Sequence, residues 1–108
     1  MVIYFVLQYH IMYELVKITK STHPDKKLCA VFRNEVTNRE RFVHFGLAGM
    51  SDYTIHKDAD RKKNYLKRHK NAEDWKNPFS RGALSRWILW NKESLRESIL
   101  DYKRRFFG

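Results

Sequence analysis

The sequence holds one cysteine, Cys29. One thiol forms no internal disulfide, which points to a reducing compartment and away from a secreted, cystine-stapled scaffold. Its neighbours Leu28, Ala30, Val31 and Phe32 make it read as a small buried hydrophobe. Long apolar runs are missing too. The opening run Met1–Leu7 meets Gln8 and His10 far short of the roughly 20 residues that span a bilayer. It also lacks the basic flank and small-residue cleavage site of a signal peptide. The run reads instead as an extra strand or a docked apolar arm over residues 1–11, with Met12 as an alternative natural start. No Walker, dinucleotide-binding, serine-elbow or zinc-finger spacing occurs. Repeats, linkers and low-complexity tracts are absent as well.

What is present fits one domain. The chain has 108 residues, 43% hydrophobic and 15% aromatic. That is the size of a single core, placed over residues 12–108, and not the composition of a disordered segment. The formal net charge is +10, and it is unevenly spread. Residues 1–55 carry 7 basic and 5 acidic side chains, while residues 56–108 carry 15 basic and 7 acidic ones. A basic half implies an acidic partner: nucleic acid, an anionic membrane face or an acidic protein surface.

The first half reads as strands. Tyr13–Thr19, Leu28–Arg33 and Arg41–Phe45 are rich in strand formers and separated by turn clusters at Ser21–Asp25 and Asn34–Asn38, which suggests an antiparallel meander. After the Gly46–Tyr53 hinge the pattern turns helical. Asp58 is placed to cap a helix running to Lys70, with a thin apolar stripe of Ala59, Tyr65 and Leu66. Ser80–Trp90 reads as a second helix. Ser94 and Glu97 match a capping box that opens a third, whose Leu95, Ile99, Tyr102 and Phe106 share one face. The expected fold is α+β: a three-stranded antiparallel sheet followed by three helices, the last packed on the sheet. The expected core is Phe32, Phe42, Phe45, Trp87, Ile88, Ile99 and Tyr102.

The chemistry-bearing clusters are few. Residues 61–70 hold six Lys/Arg and no acid. Arg61, Lys62, Lys63, Lys67, Arg68 and Lys70, with Arg86 further on, are candidate phosphate contacts whose affinity would fall with salt. Trp75, Trp87 and Trp90 lie among cations, but tryptophan at core spacing is first of all packing mass. His56-Lys57-Asp58 fails the His-x-Lys spacing of phospholipase-D-type enzymes. His44, His56, His69, Asp58 and Asp60 show no recognised metal-ligand spacing, so neither a metal nor a cofactor is expected. A metal-dependent nuclease would rest on Asp58, Asp60 and His56 alone. The run Ser51, Asp52, Tyr53, His56 and Asp58 reads as a structural motif that fixes the sheet-to-helix turn by side-chain-to-backbone hydrogen bonds. Trp87 and Trp90 join it as structural residues.

From Met12 onward the chain resembles an uncharacterised domain family of large double-stranded DNA viruses of eukaryotes. The residues that carry the resemblance are His44-Phe45-Gly46, the run Gly49–Asp58, Arg61, Tyr65, Arg68-His69, Trp75, Gly82, Ser85–Lys92, Leu95 and Ser98-Ile99. Asn77-Pro78-Phe79 departs from the family's loop. The resemblance brings no biochemical activity. It implies a virion or host-cell-interior setting, in which small basic proteins package DNA or cement a capsid. Two non-catalytic functions are therefore expected. One is a virion structural component, a minor capsid or cement protein bridging neighbouring capsid subunits or the inner membrane face, with Ile3, Phe5 and Leu7 docking on a partner. The other is a sequence-tolerant nucleic-acid binder using the 61–70 helix.

Overall fold

The computed structural model describes residues 12–108. The expected docking positions Ile3, Phe5 and Leu7 lie outside the described residues.

Three strands, β1 (Tyr13–Lys20), β2 (Lys26–Asn34) and β3 (Glu40–Leu47), form an antiparallel sheet in the order β1-β2-β3. Both hairpin turns are fixed by local polar chemistry. In the first, the Ser21 hydroxyl accepts from the His23 amide and the Lys26 amide donates to the His23 carbonyl. In the second, the buried Asn34 side chain accepts from the Val36 and Thr37 amides, and Asn38 takes a left-handed conformation at φ 63°. Asn tolerates that region better than most residues.

Strand pairing sorts the side chains into two faces. Leu15 opposite Phe32, Ile18 opposite Ala30, and Leu28 opposite Phe45 point into the core. Lys17, Val31 and Phe42 form a row on the other face. An extra residue, Val16, interrupts the β1–β2 register and is exposed. Phe42 is therefore not a core residue, contrary to expectation. It is 57% exposed, because the period of two puts it on the face away from Phe45 and the helices.

Helices follow on one side: α1 (Tyr53–His56), α2 (Ala59–His69), α3 (Arg81–Leu84) and α4 (Leu95–Phe107). The expected second helix starts on its Ser80 cap but changes character. Beyond α3 the chain widens into a π-helical turn, Ser85–Leu89, closed by the Trp90 amide donating to the Ser85 carbonyl. The expected third helix opens on Ser94, whose hydroxyl accepts from the Glu97 amide. Leu95, expected on its apolar face, is 37% exposed in the first turn. The short helix α1 adds a fourth to the three expected.

The core joins the sheet to α3, the π turn and α4 through Leu15, Ala30, Phe32, Phe45, Phe79, Leu84, Ile88, Leu89 and Tyr102. Phe79 was not expected there. It packs edge-on against Phe32 at 4.9 Å and Tyr13 at 5.1 Å. The Tyr102 hydroxyl donates to the Pro78 carbonyl at 2.6 Å, in the interior. The Asn77–Phe79 loop is thus the plug between sheet and α4. Trp87, Ile99 and Phe106 lie at the core's edge. Among the described residues, no helix is long and apolar enough to cross a membrane.

Candidate polyanion-binding site

Helix α2 forms for local reasons. Asp58 accepts from the Asp60 and Arg61 amides, Asp60 sits in the first turn, and Lys67, Arg68 and His69 lie at the carbonyl end. That charge order suits the helix dipole. Its one buried residue is Tyr65, which stacks on Trp90 with centroids 4.1 Å apart and planes 1° from parallel. His69 stacks on the other side of Tyr65 at 4.3 Å. These contacts fix which side of α2 faces inward.

The opposite side carries Lys63, Lys67 and Lys70. At 100° per residue they fall within a narrow stripe, and with a rise of about 1.5 Å per residue they span about 10 Å of helix. All three are exposed, and none has a carboxylate partner among the described residues. Arg61 and Arg68, also exposed, lie about 100° further round the helix, on the side nearer Tyr65. Five of the seven cations expected to contact phosphate are therefore free to do so.

The other two are turned inward, which corrects the sequence reading. The Lys62 ammonium donates to the Asn91 carbonyl at 2.6 Å and lies over the Tyr53 ring at 4.9 Å. Burial, aided by the charges of Arg86 and Lys92, lowers its pKa. Arg86 donates to the Trp90 carbonyl at 2.9 Å and lies over the Trp87 and Trp75 rings. Burial, then the nearby Arg105, lowers its pKa as well. Its Nε is buried with no acceptor among the described residues. Arg105 also lies over Trp87, at 3.6 Å. These guanidinium groups occupy Trp87, so it offers no open face for a base.

The Ser51–Asp58 run is a connected turn. Asp52 is buried, accepts from the Thr54 amide and hydroxyl, and pairs with Lys27 at 2.6 Å across from β2. The His56 Nδ1 accepts from the Asp58 amide at 2.9 Å, so the ring proton sits on Nε2, which is buried and unpaired among the described residues. Lys57 takes φ 54° and ends α1. Asp58 is occupied as a cap, and no three His, Cys, Asp or Glu side chains among the described residues gather to hold a metal ion. His44 lies on the far face of the sheet, with Nδ1 2.7 Å from the Ser21 hydroxyl and Nε2 4.0 Å from the Cys29 sulfur. Burial raises the Cys29 thiol pKa, so it is held protonated, the opposite of an activated nucleophile.

A cleft of about 330 Å³ opens where sheet and helices meet, with Lys26, Lys27, Asp52, Arg68, His69, Glu73, Arg81 and Trp90 on its wall. Nothing in the local spacing of Lys26 marks it in the sequence, and Arg81 stands there only as one of the cations among the tryptophans.

Residues 16–69 match the model of a family of unknown function, DUF5754. That is half of the chain. The chain belongs to the DUF5754 family. The matched segment of this DUF5754 protein runs from within β1 to the last residue of α2. It includes the Asp52 turn, Lys63 and Lys67 of the stripe, and Lys26, Lys27 and Arg68 of the cleft wall. Tyr65 lies inside it and its stacking partner Trp90 beyond it. No curated protein and no solved structure matches the chain.

Proposed function

We propose that this protein binds the phosphate backbone of nucleic acid through α2, without catalysis and with little preference for base sequence. The observation that carries the reading is the stripe Lys63, Lys67 and Lys70, exposed along one face of a helix whose other face is locked by Tyr65 and Trp90. A rigid row of cations about 10 Å long faces a duplex carrying one charge per about 1.7 Å of axis, and neutralising each phosphate releases counterions. Base readout needs donors and acceptors aimed into a groove, and the stripe offers only lysine ammonium groups. In the viral setting implied by the motif resemblance, the natural ligand is viral DNA. A virion-structural role in bridging capsid subunits leans on residues 1–11, outside the described residues, and on exposed Phe42 and Val16 of the two outer strands.

The test is fluorescence anisotropy with labelled duplex DNA from about 50 to 300 mM salt. Three to five phosphate contacts predict a slope of log K against log salt of about −2.7 to −4.5. Lys63→Glu with Lys67→Glu should flatten it by about 2. Two duplexes of unrelated sequence should bind alike. Absence of binding at the lowest salt overturns the reading and leaves the capsid-bridging role to be tested by assembly.

A further inference from the structure

The cleft at the junction of the sheet and α2 uses chemistry that the lysine stripe does not. Its volume, about 330 Å³, lies in the range of small-molecule sites, which combine apolar walls with a few directed polar groups. Its charges are sorted. Both carboxylates on the wall are already engaged: Asp52 by Lys27 at 2.6 Å, and Glu73 by His69 at 2.8 Å and the Trp75 indole at 3.2 Å. Lys26, Arg68 and Arg81 come from β2, α2 and α3, and none has a carboxylate partner among the described residues. Four cations, Lys26, Lys27, Arg68 and Arg81, against two carboxylates leave the cleft net positive, and two guanidinium groups suit the fork geometry of a phosphate.

Part of the wall is apolar. Leu47 and Met50, 57% and 59% exposed, stand beside buried Leu89. Ser51 and Ser85 add hydroxyls. The Tyr65 ring is sandwiched between Trp90 and His69, so a planar ligand lies against Leu47 and Met50 instead of stacking on Tyr65. A lone phosphate would leave this apolar wall unused, and a sugar phosphate would cover it with hydroxyls.

We propose that the cleft binds a nucleoside 5′-phosphate, with the phosphate held by Lys26, Arg68 and Arg81 and the heterocycle against Leu47 and Met50. The ligand is either a free nucleotide or the phosphorylated 5′ end of a strand. The site does not depend on phosphate binding by the outer stripe.

Isothermal titration calorimetry on the full chain with AMP, adenosine, ribose 5-phosphate and inorganic phosphate tests this. AMP should bind at least about tenfold tighter than each of the other three. Arg68→Gln with Arg81→Gln, and separately Met50→Glu, should each weaken AMP by about tenfold or more, while Lys63→Gln with Lys67→Gln leaves it unchanged. All these positions are exposed, and circular dichroism checks that each variant is folded. A 5′-phosphorylated oligonucleotide preferred over its 5′-hydroxyl form by about tenfold assigns the strand end, and equal binding assigns the free nucleotide. No AMP binding at millimolar concentration, adenosine or ribose 5-phosphate binding as tightly as AMP, or AMP affinity unmoved by the Arg68/Arg81 and Met50 variants overturns the proposal. Loss of the duplex salt slope in the Lys63 and Lys67 variant with AMP binding intact separates the two sites.

Discussion

Tyr65 and Trp90 lie face to face, 4.1 Å apart and 1° from parallel, and this stack joins the basic helix to the chain beyond the π turn. Tyr65 is 8% exposed. A π turn adds one residue to a helical turn and re-aims the side chains that follow. Here it delivers Trp90 to α2.

Trp90→Ala should therefore cost about 3 kcal/mol, from lost packing and lost ring contact. Trp90→Phe should recover more than half. Urea unfolding curves measure both, and amide exchange in α2 should accelerate more than exchange in the sheet. If Trp90→Ala changed stability by less than about 1 kcal/mol, the stack would not be what holds α2.

The Lys27–Asp52 pair makes an asymmetric prediction. The two side chains are 17% and 3% exposed, and Asp52 also holds the Thr54 amide at 2.9 Å. Asp52→Ala strands a half-buried ammonium and uncaps α1, and should cost about 3 kcal/mol. Lys27→Met keeps the packing volume but leaves the carboxylate alone, still with its Thr54 bonds. Its loss should be smaller, about 1–2 kcal/mol. Thermal unfolding of the two variants and the double variant gives the coupling between them.

The tyrosines give a pH signature. Burial pushes the Tyr102 phenol well above its ordinary value, and burial followed by the Glu73 charge does the same for Tyr65. Raised folded values mean that the native state holds protons the unfolded chain releases. This stability is fully present below pH about 10, the free tyrosine value, and is lost as pH rises beyond it toward the folded values. Phenolate absorbance should show these two groups ionising together with unfolding, not before it. Tyr102→Phe orphans the Pro78 carbonyl and should cost about 1–2 kcal/mol at neutral pH. The same variant should reduce the alkaline loss. Two phenols that titrate near pH 10 in the folded protein would contradict the burial argument.

Much of the frame was legible in the sequence. The three strands, their turns and the Asp58 and Ser94 caps follow from neighbours a few residues apart. The sequence pattern closes β3 at Gly46, but the strand runs on to Leu47. The glycine instead sits at φ +77°, where an added Cβ would come 2.7 Å from a Leu89 methyl carbon. Its requirement is set from 43 residues away. Phe42 and Phe79 show the same limit. Both are aromatic, and only strand parity and the path of the loop put one outside and the other in the core.

Capping, turn formation and alternation were determined by the sequence alone, because each depends on groups the backbone itself holds within a turn or two. Tertiary structure decided where the cations point. Lys62 and Lys63 are adjacent in the same basic run, yet one reaches the Asn91 carbonyl 29 residues away and the other faces solvent. A helix turns 100° per residue, so which of them is free depends on which face Tyr65 buries. That choice rests on Trp90, which the π turn brings within reach only once the fold is assembled. The cleft, built by Lys26, Arg68 and Arg81 from three separate elements, exists for the same reason.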